Sequence, residues 1–128
     1  MPELLANADI VSLNCPLTPE TTDLINTESI ARMKPTAVLV NVARGGVVNE
    51  DDLALALRNR TIRGAAMDVY SIEPLPSDSA LLGLDNIVLT PHLAAATADT
   101  FEPTVRRMFE NIALVSRGES LPPKDEVV

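Results

Sequence analysis

Aromatic residues are nearly missing from this chain: two Phe, one Tyr and no Trp among 128 residues. Its core must therefore be aliphatic, and 46% hydrophobic content is enough to build one from Leu, Val, Ile and Ala. A single cysteine, Cys15, leaves no internal disulfide and points to a reducing, cytoplasmic setting. One histidine beside that one cysteine is too few for a multi-ligand zinc site, so no metal is expected. Positive charge is also scarce. Ten Lys and Arg stand against eighteen Asp and Glu, a formal net charge of −8 that disfavours nucleic acid or an anionic membrane as partner. No apolar run approaches the roughly 20 residues of a spanning helix, and the N-terminus carries no signal-peptide pattern.

What the chain does have is concentrated in Ala37 to Gly46, A-V-L-V-N-V-A-R-G-G. Ala37, Val38, Leu39 and Val40 form an unbroken apolar run that suits a strand of a parallel sheet covered on both faces. Asn41 and Val42 close it, and Arg44 follows on a turn made by Gly45 and Gly46. Ligands of open α/β sheets bind outside the carboxyl ends of the strands. A guanidinium placed there offers a planar fork for a carboxylate. The local sequence leaves a plain surface ion pair open as the alternative.

Taken in order, Leu4 to Ala8 reads as the tail of a helix and Asp9 to Leu13 as a strand, which Asn14, Cys15 and Pro16 end. A polar loop, Thr18 to Thr22, leads to a short apolar return at Leu24 and Ile25. Asn26 or Thr27 caps a short helix over Glu28 to Met33, stopped by Pro35. After the central strand, Asn49 caps a helix whose first turn, Glu50, Asp51 and Asp52, suits the positive end of the dipole. Leu53, Ala54, Ala56 and Leu57 supply its buried face, and Arg58 and Arg60 its C-terminal charge. Ile62 to Asp68 is a third strand, with Gly64, Ala65 and Ala66 small enough for a helix to pack close. A loop from Val69 to Ser79 and a fourth strand, Asn86 to Leu89, lead into Thr90, Pro91 and His92. Thr97 or Thr100 caps a long last helix that runs to about Ser116, with Val105, Met108, Phe109, Ile112 and Val115 as its apolar stripe. Pro103 fits its first turn if Thr100 is the cap, and kinks it if Thr97 is. Gly118 ends it, and 119–128 is expected to be a loose tail.

Strands alternating with helices predict an α/β fold, a parallel sheet with flanking helices and right-handed crossovers. The carboxyl ends of the strands then share one edge. That edge collects Asn14 to Pro16, Ala43 to Gly46, Asp68 to Glu73, and His92.

Four motifs on that edge carry a resemblance: S-L-N-C-P-L-T-P-E-T-T (12–22), N-V-A-R-G-G (41–46), M-D-V-Y-S-I-E-P (67–74) and T-P-H-L-A-A-A-T (90–97). Together, in this order, they resemble the cofactor domain of the D-isomer-specific 2-hydroxyacid dehydrogenases. The resemblance implies a Rossmann-like fold, NAD or NADP as cofactor, a small 2-hydroxy or 2-keto acid as substrate, and a homodimer in the full-length protein. It also implies a catalytic set of Arg44, Glu73 and His92. The chemistry is coherent. Histidine is the side-chain type suited to proton transfer at neutral pH, and His92, the one histidine, can take the hydroxyl proton. Glu73 can hold the other ring nitrogen and favour imidazolium, and Arg44 can hold the substrate carboxylate and polarise the adjacent carbonyl. Singly, each residue reads as well as a solvated surface group; it is their convergence that argues for a site.

The resemblance further implies that Asp68 accepts from the nicotinamide carboxamide and that Val42, Ala43 and Arg44 line the nicotinamide. Cys15, Pro16 and Thr21 would lie on the ribose and adenosine side, and His92, Leu93, Ala94 and Ala95 would close over the ring. Asn14 and Ala94 stand where many relatives carry His and Gly. No G-x-G-x-x-G precedes the central strand, so the chain reads as the second half of a cofactor domain: 1–118 as a partial Rossmann domain, 119–128 as a tail. On this reading the Asp9 to Leu13 strand has an unpaired edge, apolar helix faces lack cover, and the chain alone is inactive. The competing readings are a cofactor-sensing or co-repressor-like binding module, and an inert piece of a split reading frame.

Overall fold

The computed structural model describes residues 1–95 and 97–125 of the chain. Short apolar runs become strands and capped amphipathic runs become helices. The order is α1 (Pro2–Asn7), β1 (Ile10–Leu13), α2 (Thr27–Ile30), β2 (Val38–Asn41), a 3₁₀ turn (Gly45–Val47), α3 (Glu50–Arg58), β3 (Gly64–Met67), β4 (Ile87–Leu89), α4 (Ala98–Ser116) and a last 3₁₀ turn (Pro123–Asp125). The chain forms two compact units, Met1–Ala94 and Ala95–Val128. The domain expected over 1–118 thus spans both.

In the first unit the four strands form one parallel sheet in the order β1-β2-β3-β4. The α/β parallel architecture expected from the sequence is what the chain adopts. Side chains alternate across the sheet. Val11, Leu13, Leu39, Ala65 and Met67 are buried in one core with Leu5 of α1, Ile30 of α2, and Leu53 and Leu57 of α3. The alternate positions stand in register as Ser12, Val40, Ala66 and Val88. On this other face Ile10 is 67% and Val88 62% exposed, so within this unit only one side of the sheet is covered, which corrects the expectation of a central strand covered on both faces. β1 lies at the edge of the sheet, as expected.

The caps follow the sequence closely. Asn26 caps α2, accepting from the Ser29 N–H at 3.1 Å while the Ser29 hydroxyl accepts from the Asn26 N–H. Asn49 caps α3 by accepting from the Asp52 N–H at 3.1 Å. Three expectations need correction. α2 stops at Ile30 rather than Met33, because the N–H groups of Arg32 and Met33 bond three residues back and tighten the chain into turns. Gly64 does not make room for a helix: a Cβ there would lie 2.9 Å from the Asn86 carbonyl oxygen at the start of the neighbouring strand. The C-terminal segment, expected loose from 119, folds through Pro123–Asp125, and Asp125 pairs with Arg107 of α4 at 2.6 Å. Residues 126–128 lie outside the described residues.

In the second unit Thr97 occupies the N-cap position of α4 and Pro103 lies inside the helix, leaving the Asp99 carbonyl without its usual donor. Met108, Phe109, Ile112 and Val115 form the expected stripe and are all exposed.

Candidate active site

The carboxyl edge of the sheet gathers the residues that the sequence singled out. β2 delivers its last residue, Asn41, into the core with no exposed surface. Burying an amide requires partners, and Asn41 finds both in the turn that follows. Its oxygen accepts from the Ala43 N–H at 3.0 Å, and its nitrogen donates to the Arg44 carbonyl at 3.0 Å. The turn is thereby locked with the Arg44 side chain exposed, and the guanidinium donates to the Ala43 carbonyl at 2.7 Å. Gly45 then passes close to the next loop. A Cβ at that position would lie 1.9 Å from the Tyr70 carbonyl carbon, so only glycine admits this approach.

β3 delivers Asp68, which is 4% exposed. One of its oxygens accepts from the Thr90 hydroxyl at 2.5 Å and the Leu93 N–H at 2.8 Å; the other accepts from the Ala94 N–H at 2.8 Å. Burial pushes this carboxyl up. The three hydrogen bonds and the nearby His92 outweigh it, and Asp68 is held below the usual carboxylate range.

Between those grips sits His92, with a backbone φ of +56°. The left-handed region costs a non-glycine residue about 1–2 kcal/mol, and here it turns the imidazole back toward the β3 loop. Nδ1–H donates to Glu73 at 2.8 Å, and the other Glu73 oxygen accepts from the Tyr70 N–H at 3.0 Å. The hydrogen bond from His92, then that from the Tyr70 N–H, hold the Glu73 carboxyl below its ordinary value. Nδ1 being engaged, Nε2 is the ring nitrogen that remains for proton exchange.

Two cavities flank this edge. One of about 540 Å³ is lined by His92, Glu73, Tyr70, Leu75, Leu82 and Leu89. The second, about 280 Å³, opens on the uncovered sheet face and is lined by Val42, Asp68, Leu93 and Ala94 together with Val40 and Val88.

Of the expected catalytic residues, then, the structure brings His92 and Glu73 into contact. Arg44 stands apart from them, at the end of a strand two spacings from β4, about 10 Å across the sheet. Of the expected cofactor residues, Val42, Asp68, Leu93 and Ala94 share one cavity. Ala43 is buried beneath the Arg44 turn. Cys15, Pro16 and Thr21 lie after β1 at the far edge, where the Thr21 hydroxyl donates to the Pro16 carbonyl at 2.7 Å and accepts from the Thr18 N–H at 2.7 Å. Ala95 falls in the second unit, where its carbonyl accepts from the Thr100 hydroxyl. Among the described residues no group of three or more His, Cys, Asp or Glu could hold a metal. No described helix is long and apolar enough to cross a membrane.

Sequence reasoning missed the residues that do the holding: Asn41, Tyr70 and Thr90. Each had a signal. Asn41 is a polar residue at the end of an apolar strand, and Tyr70 is the one tyrosine, midway between Asp68 and Glu73.

Residues 1–94 match the family described as D-isomer specific 2-hydroxyacid dehydrogenase, NAD binding domain. The chain belongs to this family. Among curated 2-hydroxyacid dehydrogenase relatives, a glyoxylate reductase of Korarchaeum cryptofilum is 46% identical over 121 residues, 94% of this chain and 36% of that protein. A D-3-phosphoglycerate dehydrogenase of Mycobacterium leprae is 43% identical over 94% of this chain and 22% of its own length. Among solved structures, the TT0316 protein of Thermus thermophilus superposes with a TM-score of 0.89 at 44% identity, covering 94% of this chain and 39% of that one. A D-isomer specific 2-hydroxyacid dehydrogenase of Xanthobacter autotrophicus, in complex with NADPH and MES, gives 0.76 at 44% identity, with 94% and 49% covered. The chain thus spans well under two thirds of the length of these relatives.

Proposed function

We propose that this chain supplies the proton-transfer and nicotinamide-binding edge of an NAD- or NADP-dependent oxidoreductase that interconverts a D-2-hydroxy acid and its 2-keto acid. The observation that carries the reading is the His92–Glu73 pair. Glu73 is fixed by a main-chain N–H on one oxygen and grips Nδ1 with the other. Such a pair sets the tautomer and stabilises imidazolium, which is what a base for an alcohol proton requires. Nε2 of His92 accepts the hydroxyl proton in oxidation and returns it to the carbonyl oxygen in reduction. Arg44 binds the substrate carboxylate through its fork and draws charge from the adjacent carbonyl.

The cofactor can be tested against the residues present. The cavity of about 280 Å³ has apolar walls from Val40, Val42 and Val88 and the Asp68 carboxylate at its rim, which suits a flat ring carrying an amide. Asp68 spends three of about four acceptor positions on the segment that follows β4, leaving one for the carboxamide. The fit is therefore to the nicotinamide end, where Val42, Ala43, Leu93 and Ala94 would hold the ring and His92 would face its reactive side. When bound, the nicotinamide supplies or accepts the hydride. Cys15, Pro16 and Thr21 would meet the ribose side and Ala95 would help to close the site. We further propose a homodimer of the full-length enzyme and a cytoplasmic location.

A chimera tests the reading: residues 1–94 placed in the Korarchaeum glyoxylate reductase in exchange for the segment they match. It should reduce glyoxylate with NADH or NADPH, and His92→Ala should lower kcat by roughly 10²–10⁴ while sparing cofactor binding. A folded chimera that binds cofactor and turns over equally well without the imidazole would defeat the proposal.

A further inference from the structure

We propose that Tyr70 is a positioning residue that ties the turns of Arg44, Glu73 and His92 into one body. This inference rests on the reading of His92 and Glu73 just given. Three observations meet at this residue. Its main-chain N–H donates to Glu73 at 3.0 Å, which orients the carboxylate for the imidazole. Its carbonyl carbon packs against Gly45 at a distance that no side chain would allow, so the Arg44 turn rests on the Tyr70–Ser71 peptide. Its phenol oxygen lies 3.0 Å from the Met67 carbonyl and 2.9 Å from that of Thr90, two acceptors for its hydrogen.

The Thr90 carbonyl is the decisive partner, for it also accepts from the His92 N–H at 3.1 Å. That bond closes a tight turn over Pro91, and the left-handed backbone of His92 follows directly after it. Asp68 grips the same segment from its other side, through Thr90, Leu93 and Ala94. Ser71 is fixed in turn by Glu50 of α3, whose carboxylate accepts from its N–H at 2.6 Å. The phenol thus acts on His92 through Thr90, and the amide acts on Glu73 directly. Tyr70 is 8% exposed, so its ring is part of the core and its hydroxyl is the part that can be removed alone.

Tyr70→Phe is the test, and the sequence makes it clean. The chain has one Tyr and one His, so their resonances need no assignment by elimination. In the 128-residue chain, the Glu73 carboxyl, followed by carbon NMR, should titrate higher in the variant, toward the ordinary value of about 4.3. The Nδ1–H proton of His92 should exchange faster. In the chimera kcat should fall about 2- to 10-fold, the equivalent of one neutral hydrogen bond, with the KM for glyoxylate unchanged. Ile62→Val, a trim of the core before the start of β3, controls for loss of stability and should move neither quantity. An unchanged Glu73 titration in a folded Tyr70→Phe chain overturns the proposal. Should that variant not fold, base titration of the wild type removes the same hydrogen. The His92 ring resonances must then shift at the midpoint of tyrosinate absorbance while circular dichroism stays native, and resonances that stay put overturn the proposal. A wild-type chimera without turnover defeats the dehydrogenase reading instead, and leaves the two NMR results to decide the role of Tyr70.

Discussion

At the carboxyl end of β2 the side chain that closes the turn is a neutral amide; at the end of β3 it is a carboxylate. Asn41 gives one bond and takes one, both within the Arg44 turn. Asp68 only accepts, and it takes hydrogens from three groups spread over Thr90 to Ala94. The amide defines a compact turn that leaves an exposed guanidinium above it. The carboxylate gathers a longer loop and forces His92 into a left-handed backbone at its centre. The two turns differ in charge, and hence in how acid reaches them.

The largest effect should come from removing the charged anchor. Asp68→Ala orphans the Leu93 and Ala94 N–H groups and the Thr90 hydroxyl, and should cost roughly 3 kcal/mol in urea unfolding; Asn41→Ala should cost about 1–2 kcal/mol. Equal costs would mean that the carboxylate contributes no more than an amide. Arg44→Lys sharpens the contrast on the functional side. If the fork holds a substrate carboxylate, kcat/KM of the chimera should fall about 10- to 100-fold, near 1.5–3 kcal/mol, with the cofactor dissociation constant unchanged. A guanidinium that served only its own turn would tolerate Lys within about 1 kcal/mol.

Acid gives the smallest and most selective difference. Asp68 and Glu73 are both held below their ordinary values. Each therefore contributes stability that is whole above its unfolded pKa, about 4, and is lost as pH falls through the lower folded value. Below about pH 4 the amide hydrogens of Leu93 and Ala94 should exchange faster, while that of Ala43, bonded to Asn41, should keep its protection until the sheet itself unfolds. Hydrogen exchange at single-residue resolution checks this, and simultaneous loss at both turns would erase the distinction.

The sheet was legible because its signals are local. β-branched runs, Asn caps and Pro or Gly stops each act over a few residues, and they marked β1 to β4 and α3 to within two residues. That His92 and Glu73 come together was legible because parallel strands bring their carboxyl ends to one edge. What stayed hidden lies in contacts across that edge. Nothing local says that the Tyr70 phenol reaches Thr90, or that Gly45 is glycine because a peptide twenty-five residues on fills the space of its Cβ. The unpaired edge of β1 was foreseen from the half-domain reading; the exposed face of the sheet was not, since the Ala37 to Val40 run reads as a strand covered on both sides, nor was the 3₁₀ turn at Pro123–Asp125, whose Arg107–Asp125 pair joins residues far apart in sequence.

The left-handed backbone of His92 has a consequence for how such a protein can change. Folding alone would hand that position to glycine, which takes up a φ of +56° without cost. An imidazole there is a place where activity and thermostability pull in opposite directions. His92→Gly would relieve the backbone but give up the hydrogen bond to Glu73 and, on the proposed function, the proton acceptor. On the proposed function, the strained position is kept for the imidazole it carries.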